Sequence, residues 1–167
     1  MSDALYRQSV PVFLRMLGNL KTILEKARSY AEEKKIDDAV LLQARLFPDM
    51  FPLVRQVQIA ADFAKGACAR LAGLDAPKFE DNETSFAEIL TRLDRTIAYI
   101  QTFKPEQFAG AGERVITLPF RPEQPMKGEV YLIDFTIPNF YFHVTAAYSL
   151  LRHNGLAIGK KDFVGQV

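Results

Sequence analysis

The sequence predicts an all-α protein, a four-helix bundle with a small β-hairpin or extended flap between the third and fourth helices. Apolar residues recur at three- and four-residue spacing in four long segments, which is the pattern of amphipathic helices. Only the segment 113–127 changes to an alternation typical of extended chain. With 167 residues, of which 49% are apolar types and 25% are charged, the chain suits one domain, 1–167, around one core.

The first predicted helix runs from Leu5 to Ala31. Pro11 falls inside it and lacks a backbone N–H, so the helix either kinks there or begins only at that turn. The charged run 32–35 is typical of a solvated patch that ends the helix. Asp37 and Asp38 follow and are suited to capping a short turn.

The second predicted helix follows a segment rich in proline. Asp49 is placed as its N-cap and Pro52 lies within its first turn. The apolar pattern continues to about Ala72, and Gly73 is predicted to cap the C-terminus.

The third predicted helix begins at a capping box formed by Ser85 and Glu88 and continues until Pro105. Between Glu113 and Lys127 the helical spacing is lost, and Val115 to Phe120 alternate instead. Prolines and a glycine follow, so this segment is predicted to be a short hairpin or an extended flap.

The fourth predicted helix runs from about residue 129 to residue 154, with a kink at Pro138. The composition of 130–133 also suits a strand, although the helical spacing continues through it. The tail 156–167 is predicted to be irregular, with Phe163 packed onto the bundle.

Composition excludes several classes of function. The 21 basic residues nearly cancel the 20 acidic ones, and neither sign forms a long block, so nucleic-acid binding is not expected. Cys68 is the single cysteine, lies in an apolar helical pattern and is predicted to be an inert buried thiol. No secretory signal is recognised at the start of the chain, and no run reaches the ~18 apolar residues of a membrane helix, so a cytoplasmic protein is expected.

The sequence contains only two histidines, His143 and His153, and both fall on the fourth helix. Ten residues apart, they lie about 80° apart around the helix and about 15 Å apart along it, so they cannot share one metal ion. His153 lies in the last turn and is expected to be exposed or to interact with the terminal carbonyl groups. His143 lies among apolar residues and needs a hydrogen-bond partner if it is buried.

The carboxylates allow few conclusions. Glu80, Asp81 and Glu83 are close together in a loop and are expected to form a solvated cluster. Asp49 and Asp62 lie on the second helix, where capping explains the first and a solvated face explains the second.

Aromatic residues also concentrate on the fourth helix. Tyr131, Phe135 and the run Phe140 to Phe142, which contains Tyr141, are expected to fill the core, or else to line a pocket or a subunit interface. The sequence has no glycine-rich phosphate loop and no Gly-x-Ser-x-Gly motif, so those enzyme classes are unsupported.

The segment Pro138 to His143, followed by Ala147 to Gly155, resembles the last helix of the DinB-like superfamily. Together with 47–58 and the segment Gly159 to Phe163, the chain resembles, over essentially its whole length, a bacterial family of unknown function grouped with that superfamily. The resemblance implies an up-down-down-up four-helix bundle, often a homodimer. It also implies a divalent metal such as nickel or zinc, held by one histidine from the second helix and a His-x-x-x-His pair on the last.

This sequence departs from the ligand set that the resemblance implies. His143 matches the second histidine of the pair, Asn139 replaces the first, and Gln58, or next Gln56, stands at the position on the second helix. One imidazole with two neutral amides makes a weak site for a transition metal. We therefore expect a polar pocket in which Asn139, His143 and Gln58 hydrogen-bond to each other or to a small ligand.

Three functions remain open at this point. The first is a DinB-like protein with a degenerate metal site that binds a small polar ligand in an inter-helix pocket, with Asp62 and Tyr141 among its ligand-binding residues. The second is a divalent-metal-dependent enzyme of thiol-transferase type, in which Asp49, Asp62 or a water completes a shell around His143. The third is a non-catalytic interaction protein that uses the flap and the aromatic stripe.

Overall fold

A computed structural model describes residues 4–166 as a helical protein with one β-hairpin. The first half contains α1 (Ala4–Lys34), α2 (Asp38–Leu42), α3 (Leu53–Leu71) and α4 (Phe86–Gln101). Two 3₁₀ turns (Pro105–Phe108 and Ala111–Glu113) then lead to β1 (Val115–Leu118) and β2 (Arg121–Lys127). The second half contains α5 (Gly128–Val130), a π-helical segment (Tyr131–Thr136), α6 (Ile137–His153) and α7 (Lys160–Val164).

Helices α1 and α6 run parallel to each other. The ring of Phe13 contacts that of Phe140 at a centroid separation of 4.9 Å. Further along both helices, the Tyr30 hydroxyl donates to the carbonyl of Asn154 over 3.2 Å. Contacts therefore advance in the same direction on the two helices.

Helices α3 and α6 run antiparallel. Gln56, near the start of α3, contacts His143, whereas Arg70, near its end, contacts Tyr131 at the start of the last helical stretch. The segment 72–85 crosses back along the bundle and makes α4 parallel to α3. The four long helices thus have up-down-down-up directions, as predicted.

The start of α1 is decided by packing. The helix passes through Pro11 without a break, so the alternative in which it begins only at that turn is wrong. One face of α1 is buried on both sides of the proline, at Val10 and Phe13. The hydrogen bond lost at a proline costs less than exposing this apolar face.

Two helix starts follow the local capping rules and a third departs from them. Ser85 and Glu88 form the predicted capping box of α4, and Asp37 caps α2. Asp49 is not the N-cap of α3, since that helix begins at Leu53 with Pro52 as the N-cap. A residue that precedes proline is disfavoured in the helical region, so Phe51 does not join α3 and the helix begins no earlier than Pro52.

The last long helix is continuous from residue 128 to residue 153 and contains no strand at 130–133. A π-helical turn ends two residues before Pro138. Because the proline ring would clash with the carbonyl four residues earlier, a wider turn at this place accommodates it.

The C-terminal segment is more ordered than the sequence indicated. The prediction of an irregular tail is wrong for Lys160–Val164, which form α7. Asp162 caps this helix by accepting from the Gly159 N–H over 2.8 Å. Phe163 packs edge-on against Tyr148, with 5.8 Å between the ring centroids, which confirms the predicted packing onto the bundle.

The predicted flap is a two-stranded antiparallel hairpin. Its register pairs Val115 with Lys127 and Ile116 with Met126. Ile116 and Leu118 are buried against the bundle, so the hairpin covers one side of it. Among residues 4–166, no helix combines the length and the apolar character that a membrane span needs.

Candidate functional site

His143 lies in the seam between α3 and α6 and is only 9% exposed. Its Nδ1 is 2.7 Å from Oε1 of Gln56. The Nε2 of Gln56 donates to the carbonyl of Phe51 over 3.0 Å, which fixes the orientation of the amide. Because Gln56 Oε1 can only accept, Nδ1 of His143 carries the proton and Nε2 is the basic nitrogen of the neutral ring.

The surroundings of His143 favour this neutral form. Phe63 stacks against the imidazole at a centroid separation of 6.0 Å, and Phe142 contacts it edge-on at 5.2 Å. Burial lowers the pKa of His143 below its ordinary value, and the positive charge of Arg55 lowers this pKa further. The ring is therefore uncharged at neutral pH.

Protein stability should fall as the pH drops through the titration range of His143. The unfolded chain takes up the proton near pH 6.5, before the folded chain does, so protonation favours unfolding. The histidine contribution is complete above about pH 6.5 and decreases below it, with a slope of at most about 1.4 kcal/mol per pH unit. Urea unfolding between pH 5 and pH 8 measures it.

A matched pair of variants tests whether His143 causes this pH dependence of stability. His143→Phe should remove the excess slope, whereas His153→Gln should retain it, because His153 is exposed at the end of α6. An undiminished slope in the His143→Phe variant would contradict the assignment.

The predicted trio of polar residues does not assemble around His143. Asn139 donates to the Phe135 carbonyl of its own helix over 2.7 Å. Gln58 donates to Glu83 over 2.7 Å and also contacts Arg55. The partner of His143 is Gln56, because residue 58 lies about 200° further around α3 and faces away from α6.

Arg92 of α4 lies at the centre of a charge cluster that the sequence did not reveal. It is 1% exposed, yet its guanidinium forms ion pairs with Asp62 at 3.1 Å, Asp81 at 2.9 Å and Glu83 at 2.9 Å. The prediction of a purely solvated loop cluster is therefore wrong for Asp81 and Glu83, and Asp62 does more than line a solvated face. A buried arginine must be paired, and the loop carboxylates pair with it.

Two further cations complete this cluster. Arg55 pairs with Asp81, and Lys65, which is also buried, pairs with Asp62 at 2.9 Å. The ring of Phe79 lies 3.9 Å from Nζ of Lys65 and 4.2 Å from the guanidinium carbon of Arg95. Three cations and three carboxylates balance, so the cluster holds the 72–85 segment onto α3 and α4 without net charge.

A pocket of about 200 Å³ opens between α3, the start of the last long helix and the hairpin. Aromatic and aliphatic side chains make most of its wall, and three charged side chains complete it. The apolar lining residues are Ile59, Phe63, Leu118, Phe120, Tyr131 and Phe135, and the charged ones are Arg55, Asp62 and Arg70.

A larger cleft of about 790 Å³ adjoins this pocket. It lies between α3, the segment 72–79 and the start of the hairpin. Asp62 and Arg70 line both cavities, so the two are neighbours along α3. We call the smaller cavity the aromatic pocket and the larger one the polar cleft.

The structure separates the five residues that the sequence nominated for ligand binding. Asp62 lines both cavities, and His143 lies behind Phe63 of the aromatic pocket. Asn139 and Gln58 line neither cavity, since Asn139 donates to the carbonyl of Phe135 and Gln58 donates to Glu83. Tyr141 lines a different, apolar groove of about 390 Å³ on the outer side of α6.

Phe63 and Arg70 line these cavities, although the sequence did not point to either of them. One signal was present, since Gly66 lies within a helix one turn before Arg70. A glycine inside a helix costs about 1 kcal/mol relative to alanine, so it marks a place where another group approaches the backbone closely.

The residues at this seam do not fit the three-histidine metal site of the DinB-like proteins. His143 is the one imidazole there, and Gln56 Oε1 already accepts from it. Across residues 4–166, no group of three or more His, Cys, Asp or Glu side chains converges as metal ligands would. Neutral amides do not replace the missing imidazoles.

Cys68 takes no part in these cavities. It is fully buried within α3, and burial raises the pKa of its thiol far above the ordinary value. A thiol in this state is a poor nucleophile, in agreement with the predicted buried position.

The helix directions and the α3–α6 seam define the chain as a DinB-like four-helix bundle. A crystal structure of a DinB family member protein from Shewanella denitrificans superposes with a TM-score of 0.94 at 44% identity, covering 99% of this chain and 94% of that one. The chain belongs to the family described as a domain of unknown function, DUF1993, which matches residues 5–164. No curated protein shows a match.

Proposed function

We propose that this DinB-like protein binds a small molecule in the aromatic pocket between α3, the last long helix and the hairpin. The observation that carries the proposal is the pocket wall, where Phe63, Phe120, Tyr131 and Phe135 surround one cavity beside the charged Arg55 and Arg70. Ligand sites in proteins are typically concave and mostly apolar, with a few polar groups that fix orientation.

The surrounding contacts give this pocket a fixed shape. Phe63 contacts the ring of Phe135 at a centroid separation of 5.8 Å, and Tyr131 stacks on Phe135 at 6.2 Å. The neutral imidazole of His143 supports Phe63 from behind. Phe120 is 67% exposed at the tip of the hairpin and forms the outer wall, so the pocket borders solvent on this side.

Phenol, a neutral aromatic probe, tests the pocket. We expect phenol to shift NMR resonances of Phe63, Tyr131 and Phe135 in a saturable way. Ile59→Trp should abolish these shifts by filling the cavity, because Ile59 lines it. Ile133→Trp is the matched control, since Ile133 is 39% exposed and does not line the pocket.

Failure of phenol to bind, or binding that survives Ile59→Trp, would count against the pocket. Elemental mass spectrometry of the same untagged preparation measures nickel, zinc and manganese per chain. Near-stoichiometric metal that disappears in His143→Ala would favour the second function, a divalent-metal-dependent enzyme of thiol-transferase type, because Nε2 of His143 is the one basic imidazole nitrogen at the seam.

We also propose that two copies associate through the outer side of α6. The apolar groove there, lined by Leu46, Met50 and Tyr141, continues into exposed aromatic side chains. Phe47 is 64% exposed, and Phe142 is 57% exposed. An exposed apolar surface of this kind supports association, which sedimentation equilibrium measures.

A further inference from the structure

Two arginines face the polar cleft, and no carboxylate of residues 4–166 pairs with either of them. Arg70 Nη1 donates to the Tyr131 hydroxyl over 3.0 Å, and Arg114 Nη1 donates to the Leu71 carbonyl at the end of α3. Both side chains are half-buried, and within the described part of the chain neither forms an ion pair. Neutral acceptors thus hold each guanidinium in place and leave its charge uncompensated.

The carboxylates in the cleft do not neutralise this charge. Asp62 is the carboxylate shared with the aromatic pocket, and its Oδ1 already accepts from Lys65 at 2.9 Å and from Arg92 at 3.1 Å. On the exposed rim, Asp75 and Lys78 carry opposite charges. The net charge available to a ligand is therefore positive, and it comes from the two arginines.

The position of Arg70 depends on Gly66, one helical turn earlier. A β-carbon at residue 66 would lie 2.4 Å from Nη1 of Arg70, so the guanidinium lies directly against the backbone of α3. This contact places the charge between the aromatic pocket and the polar cleft, since Arg70 lines both. It also explains why a helix interior retains a glycine.

We propose that Arg70, assisted by Arg114, anchors an oxyanion of the ligand whose apolar part fills the aromatic pocket. This inference rests on the proposed function and adds the ligand class, an aromatic or similarly apolar molecule that carries a carboxylate or a phosphate. A guanidinium offers paired N–H donors that match either oxyanion. Arg70 lines both cavities, so one molecule in the aromatic pocket reaches its guanidinium.

Three probes that differ in charge test this assignment: phenol, benzoate and phenyl phosphate. Wild-type protein should bind at least one of the two anions about tenfold to a hundredfold more tightly than phenol, the range for a hydrogen bond to a charged group. The preference should weaken as sodium chloride is added. The stronger of the two anions identifies the oxyanion that the site favours.

Two variants and a control locate the anion. Arg70→Met should abolish the preference for an anion over phenol, which is read as the ratio of the two affinities in the same variant, and Gly66→Ala should weaken this preference by displacing the guanidinium while α3 stays folded. Arg95→Met, an exposed arginine on α4, should bind all three probes like the wild type.

The outcomes separate the anion anchor from the pocket itself. If phenol binds and neither anion binds more tightly, Arg70 does not anchor an oxyanion, and the aromatic pocket is still a ligand site. If an anion preference survives Arg70→Met, Arg70 is not the anchor. If none of the probes binds, the proposed function and this inference fail together.

Discussion

Replacing Arg92 by methionine is expected to lower the free energy of unfolding by about 3–5 kcal/mol, the range for breaking a buried ion pair. Arg92 is 1% exposed and neutralises Asp62, Asp81 and Glu83. Glu83 has a side chain that is only 9% exposed, so it would be left as a buried charge without its main partner. Urea unfolding at pH 7 measures the loss.

The matched control is Arg95→Met, three residues further along α4. Arg95 also contacts the ring of Phe79, but it is exposed and forms no ion pair in the described part of the chain. Its replacement should change stability by about 0.5 kcal/mol or less, as surface substitutions usually do. Equal losses in the two variants would show that contact with Phe79, and not the charge cluster, stabilises this side of the bundle.

Gly128→Ala is expected to be the second large effect, a loss of about 3 kcal/mol. A β-carbon at residue 128 would lie 1.9 Å from the carbonyl oxygen of Ala111 and 3.2 Å from Cδ2 of Leu71. The carbonyl belongs to a 3₁₀ turn, so the backbone must move, and Gly128 also joins β2 to the last long helix. Thermal and urea unfolding measure the change.

Gly112→Ala in the same 3₁₀ turn is the control. A β-carbon there would meet only Leu5 Cδ1, at the ordinary contact distance of 3.8 Å, so its stability should be close to that of the wild type. Wild-type stability in Gly128→Ala would mean that the hairpin and the turn at Ala111 separate easily, and that the hairpin wall of the aromatic pocket is loosely attached.

The long helices and the hairpin followed from the sequence because each depends on residues a few positions apart. Apolar spacing decides which face of a helix is buried, and the Ser85–Glu88 box fixes the start of α4 through its own side chains. The prolines show the limit of such rules. Pro52 sets the start of α3 and excludes Asp49 as its cap, whereas Pro11 is tolerated inside α1 because both flanking turns are buried.

The site depended on contacts between segments far apart in the chain. The sequence by itself determined the four-helix class and the place of His143 among apolar residues of the last helix, since spacing and composition express these locally. Only the tertiary structure decided that Gln56 is the partner of His143, that Arg92 pairs with the loop carboxylates, and that Arg70 donates to the neutral hydroxyl of Tyr131. The physical reason is that burial and pairing of polar groups depend on which elements meet, and a small rotation about a helix axis changes the partner while the apolar pattern stays the same.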